Sequence, residues 1–215
     1  MNLYELISGT AEQEAHSRRI TGVVVGVVTN NQDPDGFGRV KVKFPWLSDV
    51  DESDWARVAA PMAGNKRGFY FLPEVDDEVL VAFEHGDVRF PYVLGALWNG
   101  KDAPPATNGD GKNNVRVIQS RSGHVIKLND EDGKETVEIL DKSQKNSIVI
   151  DTAKNTITIT SDQDITISAS KGTIKLDAQN VEIKSSAATK LEAGSTMDVK
   201  ASGTMTVKGA TVNIN

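Results

Sequence analysis

The sequence predicts an all-β protein, a small barrel followed by a repetitive β shaft. Two patterns carry that prediction. Residues 20–98 hold short β-branched and aromatic runs punctuated by Gly, Pro, Asn and Asp. Residues 157–214 repeat one phrase, two mainly apolar side chains flanking a third residue, at about eight-residue spacing. A third observation limits what can hold such a chain together. It has no Cys, so neither disulfides nor cysteine-ligated zinc contribute.

Residues 1–19 are polar helix formers with a small apolar cluster at Leu3, Leu6 and Ile7, and they read as a short helix or docking arm. Residues 20–100 read as one β domain. The run from Ile20 to Val28 is β-branched and broken by glycines, as in strongly bent strands. The stretch from Asp33 to Gly38 carries turn chemistry, and Arg39–Phe44 alternates cleanly, forming a hairpin with the first run. Trp55–Ala59 and Gly68–Leu72 are expected as further short strands, and Glu78–Phe83 with Pro91–Trp98 as a second hairpin. So many short strands without a convincing helix suggest a Greek-key barrel such as an OB-fold.

Residues 101–115, rich in Pro, Gly and Asn, read as a linker. The shaft then opens over 116–155 with wider strands at Val115–Ile118, His124–Leu128, Thr136–Leu140 and Ser147–Ile150, joined by hairpin turns. From about residue 157 the short phrase takes over. Its apolar members are Ile157/Ile159, Ile165/Ile167, Ile174/Leu176, Val181/Ile183, Leu191, Met197/Val199, Met205/Val207 and Val212/Ile214. The copy at Ile174 is slipped by one residue, so a local bulge is expected there. Even spacing keeps each pair on one face of a strand.

A lone string of such strands would leave an apolar face and open edges, which aggregate. Burying about fifteen of these side chains is worth roughly 1.5–3 kcal/mol each, tens of kcal/mol gross, provided something covers them. One chain coiling into a β-helix, or several chains sharing an axis, would do so. Eight residues is short for a full solenoid coil, so the preferred reading is one side of a three-chain prism. A β-sandwich fits less well, because it needs longer strands at less regular spacing.

The stretch from Gly22 to Trp98 also carries a resemblance. Asp35–Val42, Phe44-Pro45-Trp46, Trp55–Val58, Gly68–Val81 and Pro91–Asn99 are similar, in order, to the OB-fold domain of the central spike family of contractile injection systems. That family includes phage baseplate assembly protein V and the VgrG proteins of type VI secretion. Arg121–Leu128 and Asn146–Asp151 resemble the start of the VgrG needle. The resemblance implies an OB-fold domain followed by an intertwined trimeric β-helix or β-prism. It implies a homotrimer that sits under a hub and pierces the target cell envelope on sheath contraction.

Relative to larger members, the sequence starts almost directly with the OB domain, and neither a lysozyme-like insertion nor an effector extension is seen. A separate hub protein at the N-terminal end is therefore expected. No His follows His124, so the His-x-His iron site of some short spikes is not expected. A PAAR-type tip protein docking on Val212, Asn213, Ile214 and Asn215 is expected instead. The N-terminus shows no basic region followed by an apolar core, so the expected location is a virion or tail-like particle assembled in the bacterial cytoplasm.

No catalytic, cofactor-binding or metal-ligating residue is assigned. Asp49, Asp51, Glu52 and Asp54 cluster without the Gly and ligand spacing of a calcium loop, and read as a solvated loop. His16, His85 and His124 have no partner at metal-ligand spacing. No Ser lies in a nucleophile elbow. The net charge of −6 disfavours broad nucleic-acid binding, and Phe69, Tyr70, Phe71 and Trp98 are expected in strands that need a core. A nucleic-acid- or glycan-binding module on a stalk, and a cell-wall lytic enzyme, remain as competing classes.

Overall fold

The computed structural model describes residues 19–48 and 50–214, so nearly all of the expected N-terminal arm lies outside the described residues. Among the described residues the fold is all-β apart from a single 3-10 turn at Glu84–Gly86. The chain divides into two units, one ending at Asp162 and one beginning at Gln163.

The first sheet contains β1 (Val23–Asn30), β2 (Lys41–Lys43), β3 (Arg57–Val58), β6 (Glu78–Phe83) and β7 (Pro91–Ala96). Their order is β2-β1-β6-β7-β3, a curled half-barrel. Bridges Val40–Ala56 and Lys43–Glu52 bring β2 back to the chain that leads into β3. β3 pairs parallel with β7, through Arg57–Tyr92 and Val58–Val93, while the other pairs are antiparallel.

Strand alternation explains the core. Val79, Val81 and Phe83 of β6 point inward and are buried, and Val28, Val40, Val42, Phe44, Ala56 and Val93 join them. Gly26 is needed for close approach. A Cβ there would lie 2.3 Å from Val42 Cγ1 and 3.1 Å from the Lys43 carbonyl oxygen.

The turn between β1 and β2 is organised by Asp33. Its carboxylate accepts from the backbone N–H groups of Asp35, Phe37 and Arg39 at 3.1, 3.0 and 3.2 Å. It also takes a fork from Arg39, with Nε at 2.9 Å and Nη2 at 2.7 Å. The Arg39 guanidinium, and then the backbone donors, hold the Asp33 carboxyl far below the usual carboxylate range.

Between β3 and β6, a two-stranded ribbon pairs β4 (Ala63–Gly64) with β5 (Arg67–Gly68). The expected strand Gly68–Leu72 stops at Gly68, whose φ of +149° breaks the strand path. Phe69, Tyr70 and Phe71 are consequently exposed, at 52%, 78% and 66%, and Trp98 at 70%. This corrects their expected place in the core. Three consecutive aromatics cannot all face one side of a strand.

The second sheet is a five-strand meander: β8 (Val115–Gln119), β9 (Val125–Asn129), β10 (Thr136–Leu140), β11 (Ser147–Asp151) and β12 (Thr156–Thr160). Each strand pairs antiparallel with its sequence neighbour. The first copy of the short phrase, Ile157/Ile159, is thus the last strand of this sheet. After Thr160 no described residue lies in a strand. Among the described residues the later copies have no hydrogen-bonding partner strand, which a β-strand requires.

Candidate self-association surface

The register of the meander sorts its side chains into two unlike faces. On one face Ile118, Ile126, Ile139, Ile148 and Ile159 stand directly opposite one another across all five strands. Beside this column runs a second: Arg116, Leu128, Val137, Ile150 and Ile157. Nine of these ten positions are apolar, and their exposure runs from 37% at Val137 to 71% at Ile157. Cross-strand β-branched pairs stabilise the sheet itself. The face they create is nevertheless uncovered within the chain.

The opposite face is mixed in chemistry and half-buried on β9, β10 and β11. Its middle row is Val117, Lys127, Glu138, Val149 and Thr158. Lys127 Nζ and Glu138 Oε2 pair at 3.6 Å, and Thr136 donates to Glu138 at 2.7 Å. On β12 the contrast reduces to Thr156, Thr158 and Thr160 against Ile157 and Ile159. An exposed apolar face of this extent marks a candidate interaction surface.

The turns fix the register. Asp141 accepts from the hydroxyl of Ser143 at 2.7 Å and from Asn146 Nδ2 at 3.0 Å. These bonds lower its pKa to about 2. Lys154 closes the next turn onto Asp151 at 2.7 Å, and Arg116 pairs with Asp130. His124 Nδ1 accepts from the Lys142 N–H at 3.2 Å, a structural hydrogen bond.

The expected trimer-core residues divide between the two units. Ile157 and Ile159 share the apolar face of β12 with Ile150 and Ile148. Ile165, Ile167, Ile174, Leu176, Val181, Ile183, Leu191, Met197, Val199, Met205, Val207, Val212 and Ile214 all lie in the second unit and are all exposed. In the six copies from Ile165 to Ile214 whose two members are both apolar, the first member is 48–58% exposed and the second 67–89%. Of the expected tip residues, Val212, Asn213 and Ile214 are exposed, and Asn215 lies outside the described residues.

The sequence reading did not assign Ile118, Ile126, Leu128, Val137, Ile139, Ile148 and Ile150 to the surface. Period-two alternation in those strands was the available signal, and pairing register was needed to align them.

Elsewhere the polar side chains serve local structure. Asp51 accepts from the Ser48 hydroxyl at 2.9 Å, and Glu52 pairs with Lys41 at 3.3 Å; Asp49 lies outside the described residues. His85 sits at φ 51° in the 3-10 turn. Among the described residues, no group of three or more His, Asp or Glu could hold a metal ion. No helix among them is long and apolar enough to cross a membrane.

Comparison with known proteins places the barrel. The family described as "Type VI secretion system/phage-baseplate injector OB domain" matches residues 24–98. The chain is 30% identical over 161 residues to the type VI secretion system spike protein VgrG3 of Vibrio cholerae, across 69% of this chain and 16% of that one. It is 28% identical over 151 residues to the actin cross-linking toxin VgrG1 of Vibrio cholerae, across 63% of this chain and 14% of that one. With the spike protein VgrG5 of Pseudomonas aeruginosa it shares 38% identity over 89 residues, 40% of this chain and 11% of that one. The chain therefore spans about a sixth or less of the length of these relatives. Residues 24–98 are thus an injector OB domain of the VgrG-like/baseplate V family.

Proposed function

We propose that this chain is the central spike of a contractile tail or injection-system baseplate, with three copies sharing one axis. The observation that carries this is the uncovered face from Ile118 to Ile159, downstream of an injector OB domain and continued in sequence by the repeated pairs. Single-chain burial leaves it wet, and two further copies of the same face would dry it.

In this reading residues 20–100 form the collar, 101–115 link it to the needle, and 116–215 are the needle. A separate hub protein holds the N-terminal end, and a PAAR-type tip protein caps the end at Val212–Asn215. The protein works in a tail-like particle and is not an enzyme. Sheath contraction drives the needle into the target envelope. Stiffness comes from interchain hydrogen bonding and a continuous apolar core, because three chains must be pulled apart together.

Sedimentation of the purified chain tests this directly. A mass of three chains is expected, lost in Ile183→Asp and Val199→Asp. A monomer at micromolar concentration, or aspartate variants that keep the wild-type mass, would overturn it.

A further inference from the structure

Periodic repeats carry a hazard that this chain answers at one residue. From Val181 to Val207 the copies begin at 181, 189, 197 and 205, an even eight-residue spacing. Within that stretch, displacing one chain by a copy sets apolar pairs against apolar pairs. Such a slip loses almost nothing that the hydrophobic pattern can detect. The meander from Val115 to Thr160 holds the start of the shaft in phase. The spacing then runs nine residues to Ile174 and seven to Val181, which interrupts that phase before the even stretch begins.

Thr189 is the one non-apolar member of the pairs in this stretch. It occupies the first slot of its pair, which in the other copies from Ile165 to Val212 is the more covered slot, 48–58% exposed. The turn before it is set by the Ser185 hydroxyl, which donates to the Ala188 carbonyl oxygen at 2.8 Å.

We propose that Thr189 is the register-determining residue of the self-associated shaft; this rests on the three-chain reading above. In register, three hydroxyls meet at one level of the shared column. Each can donate to its neighbour and accept from the other, so a ring of three satisfies itself. One copy out of register, a hydroxyl faces the methyl groups of Val181 or Met197 and goes unpaired. A polar residue among apolar core positions fixes register in coiled coils by the same logic. Thr suits the role because its γ-methyl still packs in the column.

The chain has no Cys, so Ser202→Cys in the full-length protein gives a single spin-labelling site in an exposed turn of the same stretch. Sedimentation reads the mass, and double electron–electron resonance reads the distances between copies. With Thr189 in place, a three-chain mass and one narrow distance population are expected. Thr189→Ser keeps both. Thr189→Val keeps the mass but gives a second population, or a distribution at least twice as broad. A narrow distribution in Thr189→Val overturns the proposal, as does a broad one in Thr189→Ser or in the labelled parent. Loss of assembly in Thr189→Val alone also overturns it, since an added methyl should hold an apolar column together. A monomeric parent overturns the three-chain reading itself, and that result comes from mass rather than distance.

Discussion

Ile159 and Thr158 are neighbours on β12 and point to opposite faces of the meander, so a charge placed at each separates the two faces. Ile159 leaves 61% of its surface open in the single chain. Full burial of an Ile side chain is worth about 1.5–3 kcal/mol, so in the three-chain assembly proposed above, covering the remainder contributes about 1–2 kcal/mol per copy, or about 3–5 kcal/mol over three. Ile159→Asp forfeits that and buries three unpaired carboxylates. At about 2 kcal/mol or more each, the loss approaches 10 kcal/mol per assembly. That is about seven orders of magnitude in the association constant. Thr158→Asp sits on the hydroxyl-bearing face, where changes cost about 0.5 kcal/mol or less. Sedimentation at micromolar concentration should therefore give monomers for Ile159→Asp and the parental mass for Thr158→Asp. Equal masses for both variants, or dissociation by Thr158→Asp alone, would refute the assignment of faces.

Two further tests concern folding stability. Gly26→Ala must displace Val42, whose Cγ1 would lie 2.3 Å from the new Cβ, so urea unfolding should show a loss of about 1–3 kcal/mol. Gly95→Ala, which meets open space on β7, should change stability by about 0.5 kcal/mol or less; equal effects would contradict the packing described. Acid sensitivity follows from carboxylates held ionised. The Arg39 fork lowers the Asp33 pKa, Arg89 lowers that of Asp87 to about 2, and Asp141 is also at about 2. Folded pKa values below the unfolded value of about 3.9 mean that this stability is present above about pH 4 and is lost as pH falls toward 2. Melting temperature should be flat down to about pH 5 and then drop, with a shallower acid limb in Asp33→Asn. Parallel curves for the two proteins would rule out Asp33 as a source.

Much of the barrel was legible because its strands are β-branched and apolar runs bounded by turn residues. Which side chains face inward was not: Glu78–Phe83 is almost wholly apolar, and only the fold shows Val79, Val81 and Phe83 buried at every second residue. The parallel pairing of β3 with β7 was not legible, because two residues joined across a long separation leave no periodic trace. Phe69–Phe71 misled for a different reason. Hydrophobicity reads as burial, but Gly68 turns the chain out of its strand and leaves the aromatics with no sheet to lie on. The candidate self-association surface was half visible. The repeated pairs announce themselves by spacing, whereas the isoleucine column exists only after five strands are aligned. Beyond Thr160 the sequence pattern still predicts strands, and a lone chain has no partner with which to make them.

The neighbour-to-neighbour pairing of the meander also sets a timetable. Its contacts are local in sequence, the kind that closes fastest, and single hairpins of this sort form in about 1–10 μs. Each chain can thus present a finished edge and a finished isoleucine column before it meets another copy. In the proposed three-chain assembly, encounter between chains is then the slow, concentration-dependent stage. A freshly made polypeptide waits with its most adhesive surface already displayed, so production in step with its partners protects it as much as any fold does.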